Sequence, residues 1–274
     1  MNLISWFNSF IQPDLCQRID KGSNSKVLIL DTGIDYKHPY FKTNTFVIKD
    51  FINQTDPSPM DTHGHGTHIA SLFVGDNGIS PMANIYIGKV TFNHKAKKEA
   101  LIKAIDFAIT HGIDLISMSL GSSHIDQDLS SKINEAYHKG IIIVAAASND
   151  SNEIGFPASH HHVVSVAAIN ESFKPMNYYH DFNPNIFAPG SNIYGALPSN
   201  RYGNLSGSSI ATGITSACLS NFISYSKTCG VPINSFNIHH VFHHALPKIS
   251  DSFYDSPINL LNQFALMKFL KKDL

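Results

Sequence analysis

Five short apolar runs constrain this chain more than any other feature: Val27 to Leu30, Ile85 to Ile87, Leu115 to Met118, Ile141 to Ala147 and Val163 to Ala168. Each has the length of a strand, and none alternates with polar residues, which is the pattern of strands covered on both faces. Helical patterns fall between them. Leu101, Ile102, Ile105, Ala108 and Ile109 share one helix face ahead of His111-Gly112, while Leu129, Ile133, Ala136 and Tyr137 share another ahead of Gly140, which is placed to cap it. Such alternation predicts an α/β fold: a central parallel sheet with right-handed crossovers and helices on both faces. Ligands bind these sheets beyond the carboxyl ends of the strands, where Asp31 and Asn149 both fall.

With 274 residues, 43% of them hydrophobic and 15% charged, the chain can bury one substantial core. No repeat, low-complexity tract or linker divides it. Ser224 to Asn237 is the most loop-like stretch, and a helix is expected over about Leu260 to Leu270, so residues 1–274 read as one domain. A formal net charge of -1 provides no long-range field for nucleic acid or an anionic membrane. No apolar run approaches the roughly 20 residues that span a bilayer. Cys16, Cys218 and Cys229 are an odd set without metal-like spacing, and they read as reduced thiols. The amino terminus lacks the basic and uninterrupted apolar regions of a signal peptide. If Met1 is the natural start, the protein stays in the cytoplasm or leaves by a route the sequence does not mark.

Three blocks carry the chemistry. Asp31 stands in an Asp-Thr-Gly turn, His65 in Gly64-His65-Gly66-Thr67-His68, and Ser209 in Gly207-Ser208-Ser209-Ile210-Ala211. A serine hydroxyl is too weak an acid to attack an amide unaided and needs a base within hydrogen-bond reach. Histidine has the right unperturbed pKa for that base, and a carboxylate can hold the imidazole in the correct tautomer. Ser209 also stands at the start of a helical stretch running to about Phe222, where the dipole favours developing negative charge. Convergent hydrolases arrange the three groups in different chain orders, and Asp-His-Ser is the subtilisin order.

The blocks from Gly22 to Asp35, His65 to Ala70 and Gly207 to Ala211 resemble those of subtilisin-like serine peptidases, and the resemblance covers nearly the whole chain. It implies the subtilisin three-layer fold and an endopeptidase that forms an acyl-enzyme from a peptide or protein substrate, with no cofactor. Ala145-Ala146-Ala147-Ser148-Asn149 is similar to the segment ending in the family's oxyanion-hole asparagine. Ser119-Leu120-Gly121 is similar to its substrate-binding strand, and Gly155 matches the glycine that floors its primary specificity pocket. The resemblance thus implies Asp31, His65, Ser209 and Asn149 as catalytic residues, and Ser119, Leu120, Gly121 and Gly155 as substrate-binding ones. Only 30 residues precede Asp31, so no family-type inhibitory propeptide is expected.

Departures from the family pattern qualify the picture. Ile210 and Gly213 replace the usual methionine and proline after the nucleophile, and Gly213 is expected to relax the first helical turn. That leaves a transpeptidase or macrocyclase as an alternative, with a non-catalytic peptide-binding module as a third. The loop from Gly75 to Pro81 is shorter than the calcium loop of secreted subtilisins and offers only Asp76 as a charged ligand. Thr91-Phe92-Asn93-His94-Lys95 replaces the glycine-rich strand on the far side of the substrate. The histidines at 160–162, 239–240 and 243–244 complete no His-Glu-x-x-His motif, so no metal is expected. His38-Pro39-Tyr40-Phe41 and Gly66 to Phe73 also resemble the maturation proteases of cyanobactin-type peptide clusters.

Overall fold

The computed structural model describes residues 6–53, 60–75, 77–92, 95–149, 152–179, 183–250 and 257–272. Its centre is a seven-stranded sheet in the order Phe46–Asp50, Asn84–Lys89, Lys26–Asp31, Leu115–Met118, Ile142–Ala146, Val163–Ile169, Ile186–Pro189, with every neighbouring pair parallel. All five apolar runs are therefore strands. Alternate side chains serve opposite cores: Val27, Ile29, Ile142 and Val144 enter one, and Leu28, Leu30, Ile143 and Ala145 the other. This two-sided burial is why the runs are almost wholly apolar, and their two serines, Ser117 and Ser165, are themselves buried.

Helices Lys98–His111 and Gln127–His138 cover one face, and Gly112, at φ 60, closes the first of them as a left-handed cap. Helices His65–Phe73 and Ser208–Thr228 cover the other. An antiparallel hairpin, Ile193–Leu197 with Arg201–Leu205, lies on the first of these, where Gly195 leaves no room for a side chain against His68.

Several boundaries differ from expectation. The helix containing Ser209 continues to Thr228, so the first five residues of the 224–237 stretch are helical, and Ile238–Ala245 adds a further helix beyond it. The closing helix is Gln263–Lys272. Ser224 and Ser226 gave a loop-like composition, yet both are buried, and the Ser226 hydroxyl donates to the Ile223 carbonyl. Gly213 lies in the second turn, not the first, at the crossing with the His65–Phe73 helix. A Cβ there would come within 3.0 Å of Leu72 and 3.2 Å of Ile69. Its role is to let two helices approach, which accounts for the glycine without any relaxed helix start. Cys16, Cys218 and Cys229 are free thiols, the first two buried. No described helix is long and apolar enough to cross a membrane.

Candidate active site

Asp31 is the last residue of the strand Lys26–Asp31, at its carboxyl end, and is 3% exposed. His65 opens the helix His65–Phe73, whose approach to that strand depends on Gly66: a Cβ there would collide with the Gly33 carbonyl. The His65 Nδ1–H donates to Asp31, 2.8 Å from Oδ1 and 2.9 Å from Oδ2. Because a carboxylate only accepts, Nδ1 carries the proton and Nε2 is left as the acceptor. Ser209 Oγ donates to that Nε2 over 3.1 Å. Burial lowers the His65 pKa, but the charge of Asp31 and its hydrogen bond outweigh it, with Asp61 adding to them, and the net shift is upward.

Ser209 is reached through a glycine requirement. Gly207 precedes the helix at φ 140, a region that side chains disfavour, and its N–H donates to the Gly190 carbonyl. Ser209 then falls in the first helical turn, where backbone N–H groups have no intrahelical acceptor. Asn149 follows the strand Ile142–Ala146, and its Oδ1 accepts the Ser208 N–H over 2.7 Å. Since that backbone group can only donate, the amide orientation is set, with Oδ1 toward Ser208.

The residues that resemble the family's substrate-binding ones lie around these groups. Ser119 follows the strand Leu115–Met118, and its hydroxyl donates to the Ser209 carbonyl over 2.8 Å, tying the cleft wall to the nucleophile's turn. Ser119, Leu120, Gly121, Asn149, Gly155 and Ser209 share the lining of one cavity of ≈ 510 Å³. Gly155 donates to the Ala147 carbonyl, and a Cβ on it would come within 3.1 Å of the Ser122 carbonyl. A second cavity of ≈ 570 Å³ shares Ser119 to Ser123 and His65 with the first, and adds Asp31, His63, Thr91, Lys95 and Ala96.

Two further residues position the site: Asp61, which lies outside the motif blocks, and Thr32, which lies inside the Asp-Thr-Gly turn, where the motif assigns it no role. Asp61 is buried, and its carboxylate accepts from the N–H groups of His63, Gly64 and Thr67 and from the hydroxyls of Thr67 and Thr32. Burial raises its pKa, but the hydrogen bonds of Gly64, Thr67 and Thr32 together prevail and hold it below the usual carboxylate range. Thr32, next to Asp31, accepts the Gly66 N–H and so couples the aspartate strand to the histidine helix. An acidic residue four positions ahead of a helix-opening histidine was the available signal. His68 is fully buried and its Nε2–H donates to the Ile193 carbonyl, which makes it a packing residue.

Among the described residues, the loop after the histidine helix is held by side-chain amides: Gln17 Nε2 donates to the carbonyls of Gly78 and Ile79, and Asn221 Nδ2 donates to Ile79 as well. Asp76 lies outside the described residues, as do Asn93 and His94. Among the described residues, no cluster of His, Cys, Asp or Glu could hold a metal ion.

A histidine bridging a buried carboxylate and a serine hydroxyl, beside a fixed amide and a peptide-sized cleft, is the machinery of a serine hydrolase. The model of the Subtilase family matches residues 22–233, and the chain belongs to that family: it is a serine endopeptidase of the subtilisin type. The major intracellular serine protease of Bacillus subtilis (strain 168) is 31% identical over 234 residues, 78% of this chain and 73% of that protein. Subtilisin DY of Bacillus licheniformis is 33% identical over 208 residues, 70% of this chain and 74% of its own length. Thermitase of Thermoactinomyces vulgaris is 32% identical over 212 residues, 74% of this chain and 76% of its own.

Proposed function

We propose that Ser209 is the nucleophile, His65 the general base and then acid, Asp31 the group that orients and stabilises the imidazolium, and Asn149 the side-chain donor of the oxyanion hole. The observation that carries this reading is the unbroken chain from the Asp31 carboxylate through His65 to Ser209 Oγ. As Oγ attacks the scissile carbonyl, its proton passes to Nε2, while Nδ1–H remains on Asp31. The carbonyl oxygen becomes an anion met by Asn149 Nδ2 and the Ser209 N–H. Nε2 then returns its proton to the leaving amine, giving the acyl-enzyme. A water, deprotonated by the same nitrogen, releases the acid product.

In this reading Ser119, Leu120 and Gly121 pair with the extended substrate, Gly155 opens the primary pocket, and residues 1–274 act as one peptidase domain. The closing helix supports the last point by contributing Leu266, Met267 and Leu270 to the same core as the Ser209 helix. Limited processing of a peptide or protein in the cytoplasm is the biological role that fits, since two relatives are named as intracellular serine proteases. With Gly213 explained by helix packing, no structural observation favours macrocyclisation.

A fluorophosphonate, which needs a base-activated hydroxyl, should label wild type and fail on Ser209→Ala. Labelling that survives in that variant would remove Ser209 from its role. Product masses from a peptide incubated with increasing amine should stay those of hydrolysis.

A further inference from the structure

The ≈ 570 Å³ cavity beyond His65 differs in charge from the primary pocket. Lys95 is the one lysine or arginine among its lining residues, it is exposed, and among the described residues its ammonium has no hydrogen bond or ion pair. It is carried on the short antiparallel pair Thr91–Phe92 and Lys95–Ala96, which lines the cavity together with Ser119 to Ser123. The acidic groups on this side are already engaged. Asp31 is bound to His65, and Asp61 is buried among the five donors that it accepts from. Among the described residues, the wall therefore presents an unneutralised cation to whatever lies in the cleft.

We propose that Lys95 is a specificity-determining residue that selects substrates with an acidic side chain two or four residues before the scissile bond. An extended peptide laid along Ser119 to Gly121 directs alternate side chains to opposite faces. The residue before the scissile bond enters the pocket floored by Gly155, so the second and fourth turn together toward the wall that holds His65 and Lys95. A carboxylate there gains the ammonium, whereas a lysine meets a like charge in a cleft from which the peptide excludes water. The substrate class is thus an acidic peptide or an acidic processing site. This proposal rests on the peptidase reading of the cleft.

The test uses internally quenched peptides that are identical except for Glu, Gln or Lys at the second or the fourth position, read as kcat/KM. For an exposed-to-partly-screened pair, Glu should exceed Gln by about five-fold at one of the two positions, falling as salt rises. Lys95→Met should abolish the ratio, and Lys95→Glu should invert it in favour of the lysine peptide. In parallel, Ser209→Ala binds the same peptides without turnover, and their relative affinities report Lys95 independently of chemistry. A Glu preference in binding without cleavage in wild type would sink the triad reading and leave Lys95 standing. Equal binding and cleavage of Glu and Gln peptides at both positions, or a ratio that persists in Lys95→Met, would overturn the proposal.

Discussion

At the scale of single residues, the site depends on which groups can only donate and which can only accept. Asp31 can only accept, so it dictates the His65 tautomer, and the Ser208 N–H can only donate, so it dictates the Asn149 amide. The upward shift of His65 has a kinetic consequence. Protonated Nε2 cannot take the serine proton, so kcat/KM should fall with acid along a limb centred above the ordinary histidine value of about 6.5. Asp31→Asn removes the charge that raises it. We expect kcat to drop on the order of 10⁴-fold, as in other Ser-His-Asp enzymes, and the acid limb to move to lower pH. A pH–rate profile of both proteins checks this, and an unmoved limb would mean that Asp31 does not set the His65 pKa. Asp31, His65 and Ser209 were legible in the sequence because each lies in a short block with its own glycine, and Asn149 because it closes an apolar run. The roles of Asp61 and Thr32 were not, because they rest on hydrogen bonds between segments far apart in the chain, which motif spacing does not show.

At the scale of elements, legibility followed burial on two sides. The five apolar runs became strands, but Phe46–Asp50 at the sheet edge shows alternating exposure, and Ile186–Pro189 is short and ends in proline. Their apolar stretches, Phe46 to Ile48 and Ile186 to Ala188, are as short as Ile85 to Ile87, and neither is among the five read as strands. The helix Ser208–Thr228 was cut short in expectation because a buried helix normally looks apolar. This one buries many hydroxyls. Thr212 donates to the Ser208 carbonyl and Ser220 joins Ser25 and Ser80 in a cluster at 2.6 and 2.8 Å, whereas Thr215 and Ser216 are buried without a partner among the described residues. The loop after the histidine helix is held by the same kind of chemistry, through Gln17 and Asn221. EDTA should therefore leave the melting temperature nearly unchanged, whereas Gln17→Ala leaves the Gly78 carbonyl without that donor. The variant should lose about 1 kcal/mol, or roughly 2–4 °C of Tm. Calorimetry with and without EDTA decides it: a large drop restored by calcium would show that a cation, not the amide clamp, holds the loop.

For the molecule as a whole, the histidines fold into two opposed groups. His65 has a raised pKa, so its contribution to stability is complete below about 6.5 and is lost as pH rises through the folded value. Four others go the opposite way. Burial pushes His68 and His160 down to about 4, with the charges of neighbouring histidines adding to the effect at both, and it lowers His162 and His239 as well. A base with a depressed folded pKa binds its proton more readily when unfolded, so stability falls as pH drops below about 6.5 toward the folded values. His68 has the clearest cause. Its Nε2–H is committed to the Ile193 carbonyl, and its Nδ1 is buried without a partner, so a second proton would put an unpaired charge in the core. From pH 7 to 5 that one residue should cost about 2 kcal/mol. Urea midpoints across this window isolate the histidines, since unperturbed carboxylates remain mostly ionised there. We expect the midpoint to fall steadily between pH 6.5 and 5 in wild type and to flatten in His68→Asn. Stability that is level or rising toward pH 5 would show that the buried imidazoles do not control acid tolerance, and that His65 outweighs them.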